Sequence, residues 1–145
     1  MGLCAAIGFT GLGTTNALAE EGHEHKVGEK VKIPETVEGI WKEIHAHHAE
    51  LKGIVEKKQL DKVHEAAFEI RDLSKALVPK APVDKKTQVE STVKNIARLA
   101  ENLDASGDAN DQAKTEANLK KLDGLIKVLQ AQFGMKMEGK EKHEH

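Results

Sequence analysis

The chain has 145 residues, with 22 Lys and Arg against 24 Asp and Glu and a formal net charge of −2. Both signs are mixed along it and give no broad basic surface, so nucleic-acid binding has no electrostatic basis and strong attraction to an anionic membrane is unsupported. Three Phe, one Trp and no Tyr, among abundant Ala, Leu, Lys and Glu, fit packed helices better than sheets.

Residues 1–19 carry no charge, and Leu3 to Leu12 is apolar with small residues. Ala17-Leu18-Ala19 matches a small-x-small cleavage site ahead of Glu20. This pattern predicts a secretory signal removed on export to the periplasm, although no Lys or Arg precedes the apolar run. The run is too short for a normal membrane span, so no stable span is expected after cleavage. Cys4 would leave with the signal, and the remaining chain would contain no cysteine. Residues 20–34 are polar and aperiodic and read as a flexible arm containing His23-x-His25.

Pro34 and Thr36 mark a helix start. The first helix is expected over 35–57, with Val37, Ile40, Ile44, His48, Leu51 and Val55 recurring at three and four residues. At ~1.5 Å per residue it is roughly 34 Å long. Lys57-Lys58-Gln59 is a short polar turn. A second helix over 60–77 faces inward with Val63, Ala66, Ala67, Ile70, Leu73 and Leu77. Arg71 and Asp72 on it are read as an ion pair toward the first helix. Pro79 and Pro82 then break the pattern. A third helix starts near Asp84 as N-cap and buries Val89, Val93, Ile96, Leu99, Ala100 and Leu103. The run 104–111 is rich in capping residues and reads as a turn. A fourth helix buries Leu119, Leu122, Leu125, Ile126, Leu129 and Phe133, and Gly134 stops it. Four amphipathic helices with short links predict an all-α, antiparallel up-down-up-down four-helix bundle over 35–133. Residues 134–145 read as a flexible Met- and His-containing tail.

Three of the eight histidines fall at His45, His47 and His48. On a helical wheel, at about 100° per residue, His48 lies near the middle of the apolar stripe, with His45 and His47 on opposite shoulders. His45 and His48, spaced i,i+3, can share a face, whereas His47 is read as solvated. Antiparallel pairing through the Lys57–Gln59 turn places His45 level with Asp72 and His48 level with Glu69. His64 sits roughly 7 Å further along the axis, at ~1.5 Å per residue. A candidate metal site therefore comprises His45, His48, His64 and Asp72, with His45 oriented by Asp72 as its easiest part. Imidazole suits Zn, Cu, Ni and Co. The competing structural reading is a helix with one half-buried histidine satisfied by a carboxylate. At the ends, His23, His25, His143 and His145 form His-x-His pairs, and Met135-x-Met137 offers thioethers suited to Cu(I). Cu and Zn are the expected ions.

Other chemistries fail on spacing. No Cys-x-x-Cys-His exists and no second inward axial ligand faces His48, so no haem is expected. Counted from Asp104, Gly107 is fourth and Glu116 thirteenth, which breaks the calcium-loop pattern. Neither a nucleophile motif nor a phosphate-binding glycine loop occurs, so no enzyme is expected.

Ile40-Trp41 with Ile44-His45, Val63-His64 with Ala67-Phe68, and Ile70-Arg71-Asp72-Leu73 resemble small exported helical-bundle domains. Leu99-Ala100-Glu101 with Leu103-Asp104, Gly107-Asp108, Asn110-Asp111 and Glu116-Ala117-Asn118 carry the same likeness. Such domains are encoded near heavy-metal RND efflux systems or fused to their periplasmic adaptor subunits. The resemblance spans about Ile33 to Phe133. It implies a periplasmic role in metal efflux or tolerance, with an adaptor as possible partner and His45 and His64 as the histidines concerned. Two functions follow as expectations: a periplasmic protein that binds or buffers a transition metal, or a metal-free helical module that docks on an exported partner such as an efflux adaptor.

Overall fold

Thr36 caps the first helix, at the start that Pro34 and Thr36 predict. Its backbone is extended and its hydroxyl accepts from the Gly39 amide at 3.1 Å, satisfying one of the free donors of the first turn. The computed structural model describes residues 31–135 and is all-α over them. Four α-helices follow in order: α1, Val37–Glu56; α2, Val63–Leu77; α3, Lys86–Asp108; and α4, Gln112–Gln132. Short 3-10 turns at Leu60–Lys62 and Val78–Lys80 precede and follow α2. The expected signal and arm residues 1–30, and the tail residues 136–145, lie outside the described residues.

One apolar core joins the helices. It holds Ile40, Trp41, Ile44 and Leu51 from α1, Val63, Ile70, Leu73 and Leu77 from α2, Val89, Ile96 and Leu103 from α3, and Leu122, Ile126 and Leu129 from α4. Every inward position expected on α2 and α3 is buried. Val37, Leu119, Leu125 and Phe133 are only partly buried against its margin. α1 packs on α2, α2 on α3 and α3 on α4, while α1 also meets α4. Among the described residues no helix is long and apolar enough to cross a membrane.

The links differ from expectation in two places. Asp84 does not cap α3: that helix starts after Lys85, whose amide closes a turn onto the Pro82 carbonyl at 2.9 Å. The link between α3 and α4 is also shorter than 104–111. α3 runs through Asp108, and only Ala109 and Asn110 separate it from the Asp111 cap, which accepts from the Lys114 amide at 3.0 Å. The capping-type residues upstream are used by tertiary partners instead. Asp104 pairs with His64, Thr115 donates to the Ser106 hydroxyl at 3.0 Å, and Gly107 lets α3 lie against the Leu60 carbonyl. Lys58 and Asn110 take left-handed backbone in the two tight links, with φ of 58° and 52°, and Gly134 ends α4 with φ of 68°.

Candidate metal centre

α1 and α2 each present an acidic stripe at their shared edge. On α1, Glu43, His47 and Glu50 follow at i, i+4 and i+7, and on α2 Glu65 and Glu69 are four apart. His47 Nδ1 lies 2.7 Å from Glu69 Oε2 and 3.3 Å from Glu50 Oε2. One ligand atom from each of His47, Glu50 and Glu69 lies within 4.8 Å of the other two. A tetrahedral ion with bonds of about 2.0–2.1 Å spaces its donors about 3.3 Å apart, so small side-chain adjustments reach coordination geometry.

Electrostatics around this cluster are unbalanced. Burial raises the Glu69 carboxyl above its ordinary range, His47 opposes the shift, and Glu65, Glu50 and Glu43 reinforce it. The lysines and Arg71 that form ion pairs among the described residues do so with Asp72, Asp111 and Asp123. None of them pairs with these four glutamates. Beside the cluster, a groove of ≈ 410 Å³ runs toward the α1–α2 link, with Glu50, Glu65, Lys57 and Lys62 on its walls. Small residues make it: Ala49, Gly53 and Ala66 line it, and a Cβ at Gly53 would meet nothing within 4 Å.

The four residues expected as a bundle site lie in separate environments. His45 is exposed, with its ring 5.9 Å from that of Trp41. Asp72 is engaged within α2, with Arg71 Nε at 2.7 Å and Lys75 Nζ at 3.8 Å, so the Arg71–Asp72 pair does not reach α1. His64 Nδ1 contacts Asp104 on α3 at 2.7 Å, and its ring stands edge-on to Phe68 at 4.4 Å. His48 is buried and turned toward α4, with Nε2 3.5 Å from Asp123 Oδ1. That carboxylate is shared with Lys52 at 3.3 Å and Lys127 at 2.8 Å. The buried His48 Nε2 has no hydrogen-bond partner. Burial first, then Lys52, lowers its pKa to about 4. The imidazole is therefore neutral at pH 7, but a cation approaching it meets two ammonium groups. Met135, the last described residue, is partly buried against the core. His23, His25, His143, His145 and Met137 lie outside the described residues.

His47 is the candidate ligand that the wheel misplaced. It is not solvated: its side chain is 19% exposed and contacts two carboxylates. The wheel treats the apolar stripe as facing one neighbour, whereas α1 has two. The middle of the stripe points between α2 and α4, so His47 on one shoulder meets α2 and His48 toward the other meets α4. Two signals were available: His47-x-x-Glu50 on one face, and the pairing level that put Glu69 within a residue of it.

No family model matches the chain, and neither a curated protein nor a solved structure matches it.

Proposed function

We propose that this chain binds and buffers a transition metal in the periplasm and serves a heavy-metal efflux system. The observation that carries the metal reading is the convergence of His47, Glu50 and Glu69 from two helices within 4.8 Å. Uncompensated glutamates around a single imidazole support it, because a bound cation relieves their mutual repulsion. The periplasmic location and the link to efflux rest on the export-type leader and on the resemblance to efflux-associated bundles. The reading involves no catalytic step. It takes the fold as an antiparallel up-down-up-down bundle. Contacts between His64 and Asp104 and between Thr92 and Gln132 support that topology, since each joins an early residue of one helix to a late residue of the next.

Calorimetric titration of the full chain with Zn(II), Ni(II), Cu(II) and Cu(I) tests the proposal. Uptake well below millimolar dissociation constants is expected, with a loss on His47→Ala that measures the bundle's share. If no ion binds tighter than about 1 mM, a limit of roughly 4 kcal/mol, the metal reading is lost.

A second reading, a metal-free module docking on an efflux adaptor, is favoured by a ladder on α2. His64 is edge-on to Phe68, and the Arg71 guanidinium lies 4.2 Å from the Phe68 ring centroid. Pre-ordered aromatic and Arg side chains are the residue types that anchor interfaces. If Phe68→Ala and Arg71→Ala abolish metal tolerance in cells while His47→Ala does not, this second reading replaces the first.

A further inference from the structure

The donor set of the His47 cluster narrows the ion it can take. It offers one imidazole nitrogen and carboxylate oxygens. Between residues 31 and 135 the only sulfur is the thioether of Met135, beyond α4. Soft Cu(I) is selected by thiolate and thioether, whereas imidazole with carboxylate suits borderline divalent ions such as Zn(II) and Co(II). Glu43 and Glu65 add negative charge around the three donors, which favours a divalent ion over a monovalent one.

The number of donors is the second constraint. Closed structural zinc sites have four protein ligands, and three leave a position open. Glu50 is the most exposed of the three, with 58% of its side chain accessible, and it also lines the groove between α1 and α2. The geometry points to a centre that takes a divalent ion of the Zn(II) class in preference to Cu(I), with one coordination position open beside Glu50 to an external ligand. This rests on the metal-binding reading above and adds the class of ion and the route of exchange. Exchange is ligand substitution: the donor lone pair of an incoming ligand replaces that of water or of Glu50, and the ion keeps its oxidation state. An ion held in this way is cargo that a partner can remove.

The test uses the full chain with His23, His25, His143 and His145 replaced by Gln, so that metal uptake reports the bundle. Co(II) is the spectroscopic probe. Visible bands of a nitrogen–oxygen site are expected, shifted by added imidazole and lost on adding stoichiometric Zn(II). A tenfold excess of Cu(I) under anaerobic conditions should leave the bands in place. His47→Ala should weaken Co(II) binding by about tenfold or more and remove the imidazole response, and the shape-conserving Glu50→Gln and Glu69→Gln should weaken it likewise. Displacement of Co(II) by Cu(I) at up to the tenfold excess overturns the class of ion, and bands unmoved by imidazole overturn the open position; both outcomes leave metal binding intact. Uptake unchanged by His47→Ala and Glu69→Gln removes the centre from this cluster and overturns the inference. If none of Co(II), Zn(II), Ni(II), Cu(II) and Cu(I) binds the chain with its terminal histidines intact, the metal-binding reading itself fails.

Discussion

At the residue scale, two neighbouring side chains on α1 have opposite fates. His48 is buried against α4, and its imidazole stays neutral because burial and Lys52 disfavour the proton. The sign of the linkage follows from its lowered pKa. The unfolded chain takes up the proton near pH 6.5 and the folded chain only near 4, so stability falls as pH drops through that window. The loss is at most about 3 kcal/mol, since one pKa unit is worth about 1.4 kcal/mol and nearby solvent screens part of it. Lys127, and then Lys52, hold the Asp123 carboxyl below its ordinary 3.8, so its own acid loss begins only below the His48 window. Denaturant unfolding between pH 4 and 6.5 should therefore show a slope that flattens in His48→Leu. An unchanged slope would mean that His48 is solvated and that α1 and α4 are not closed over it. Glu69 gives the reverse case. Its raised pKa means that its charge costs stability at neutral pH, where the unfolded carboxyl is ionised freely. Glu69→Gln should leave the metal-free protein as stable or more stable by thermal melting at pH 7.5, yet weaken metal binding by about tenfold or more. A destabilised metal-free variant would make Glu69 a structural anchor for His47 rather than a ligand.

At the scale of the element, the inner faces were legible, as were the start of α1 and the end of α4, whereas the two ends of α3 were not. Periodicity identifies a helix whenever its buried side chains follow the helical repeat, and α1, α2 and α3 do so nearly throughout. Where a helix ends depends on which local hydrogen bonds survive packing. Asp104, Ser106 and Gly107 look like a turn because each is a good cap or breaker in isolation. In the fold, Asp104 serves His64, Ser106 donates back to the Leu103 carbonyl at 3.1 Å, and Gly107 is a point of close approach. Candidate metal residues were harder to place for a similar reason. A wheel orders the side chains of one helix but does not say which shoulder meets which neighbour, so His47, expected to be solvated, meets α2, while His48, buried as expected, meets α4. Three of the four glycines inside the helices, Gly53, Gly107 and Gly124, make this concrete. A Cβ at Gly107 would stand 2.7 Å from the Leu60 carbonyl oxygen and 3.3 Å from the Val63 Cβ, whereas at Gly53 and Gly124 it would meet nothing within 4 Å. Gly53→Ala and Gly124→Ala should each stabilise by up to about 1 kcal/mol through helix propensity alone. Gly107→Ala should destabilise by about 1–3 kcal/mol, because backbone on the Leu60 side must move. Chemical denaturation of the three variants checks the contrast, and equal effects at all three positions would contradict the close approach of α3 to the 3-10 turn.

At the scale of the whole molecule, the candidate centre joins α1 to α2 at the edge of the bundle, across the groove that small residues leave open. Its ligands come from two helices, so they assemble only in the folded state. The His-x-His pairs at His23-x-His25 and His143-x-His145 are different: their ligands are neighbours in sequence and can bind metal in the unfolded chain too. This difference separates the two kinds of site by stability alone. An ion that binds only the folded chain stabilises it by RT ln(1 + [L]/Kd), about 2.7 kcal/mol at a hundredfold excess over Kd. For a described region of this size, that corresponds to a rise in Tm of roughly 10 °C or more. An ion held equally by folded and unfolded chains leaves Tm where it was. Zn(II) should therefore raise the Tm of the full chain, the rise should persist when the four terminal histidines are replaced by Gln, and it should vanish in His47→Ala. Thermal melting with and without Zn(II) reads all three outcomes. A shift that disappears with the terminal histidines and survives His47→Ala would place the stabilising ion at the ends of the chain, and the α1–α2 edge would then be an acidic seam with no ion to hold.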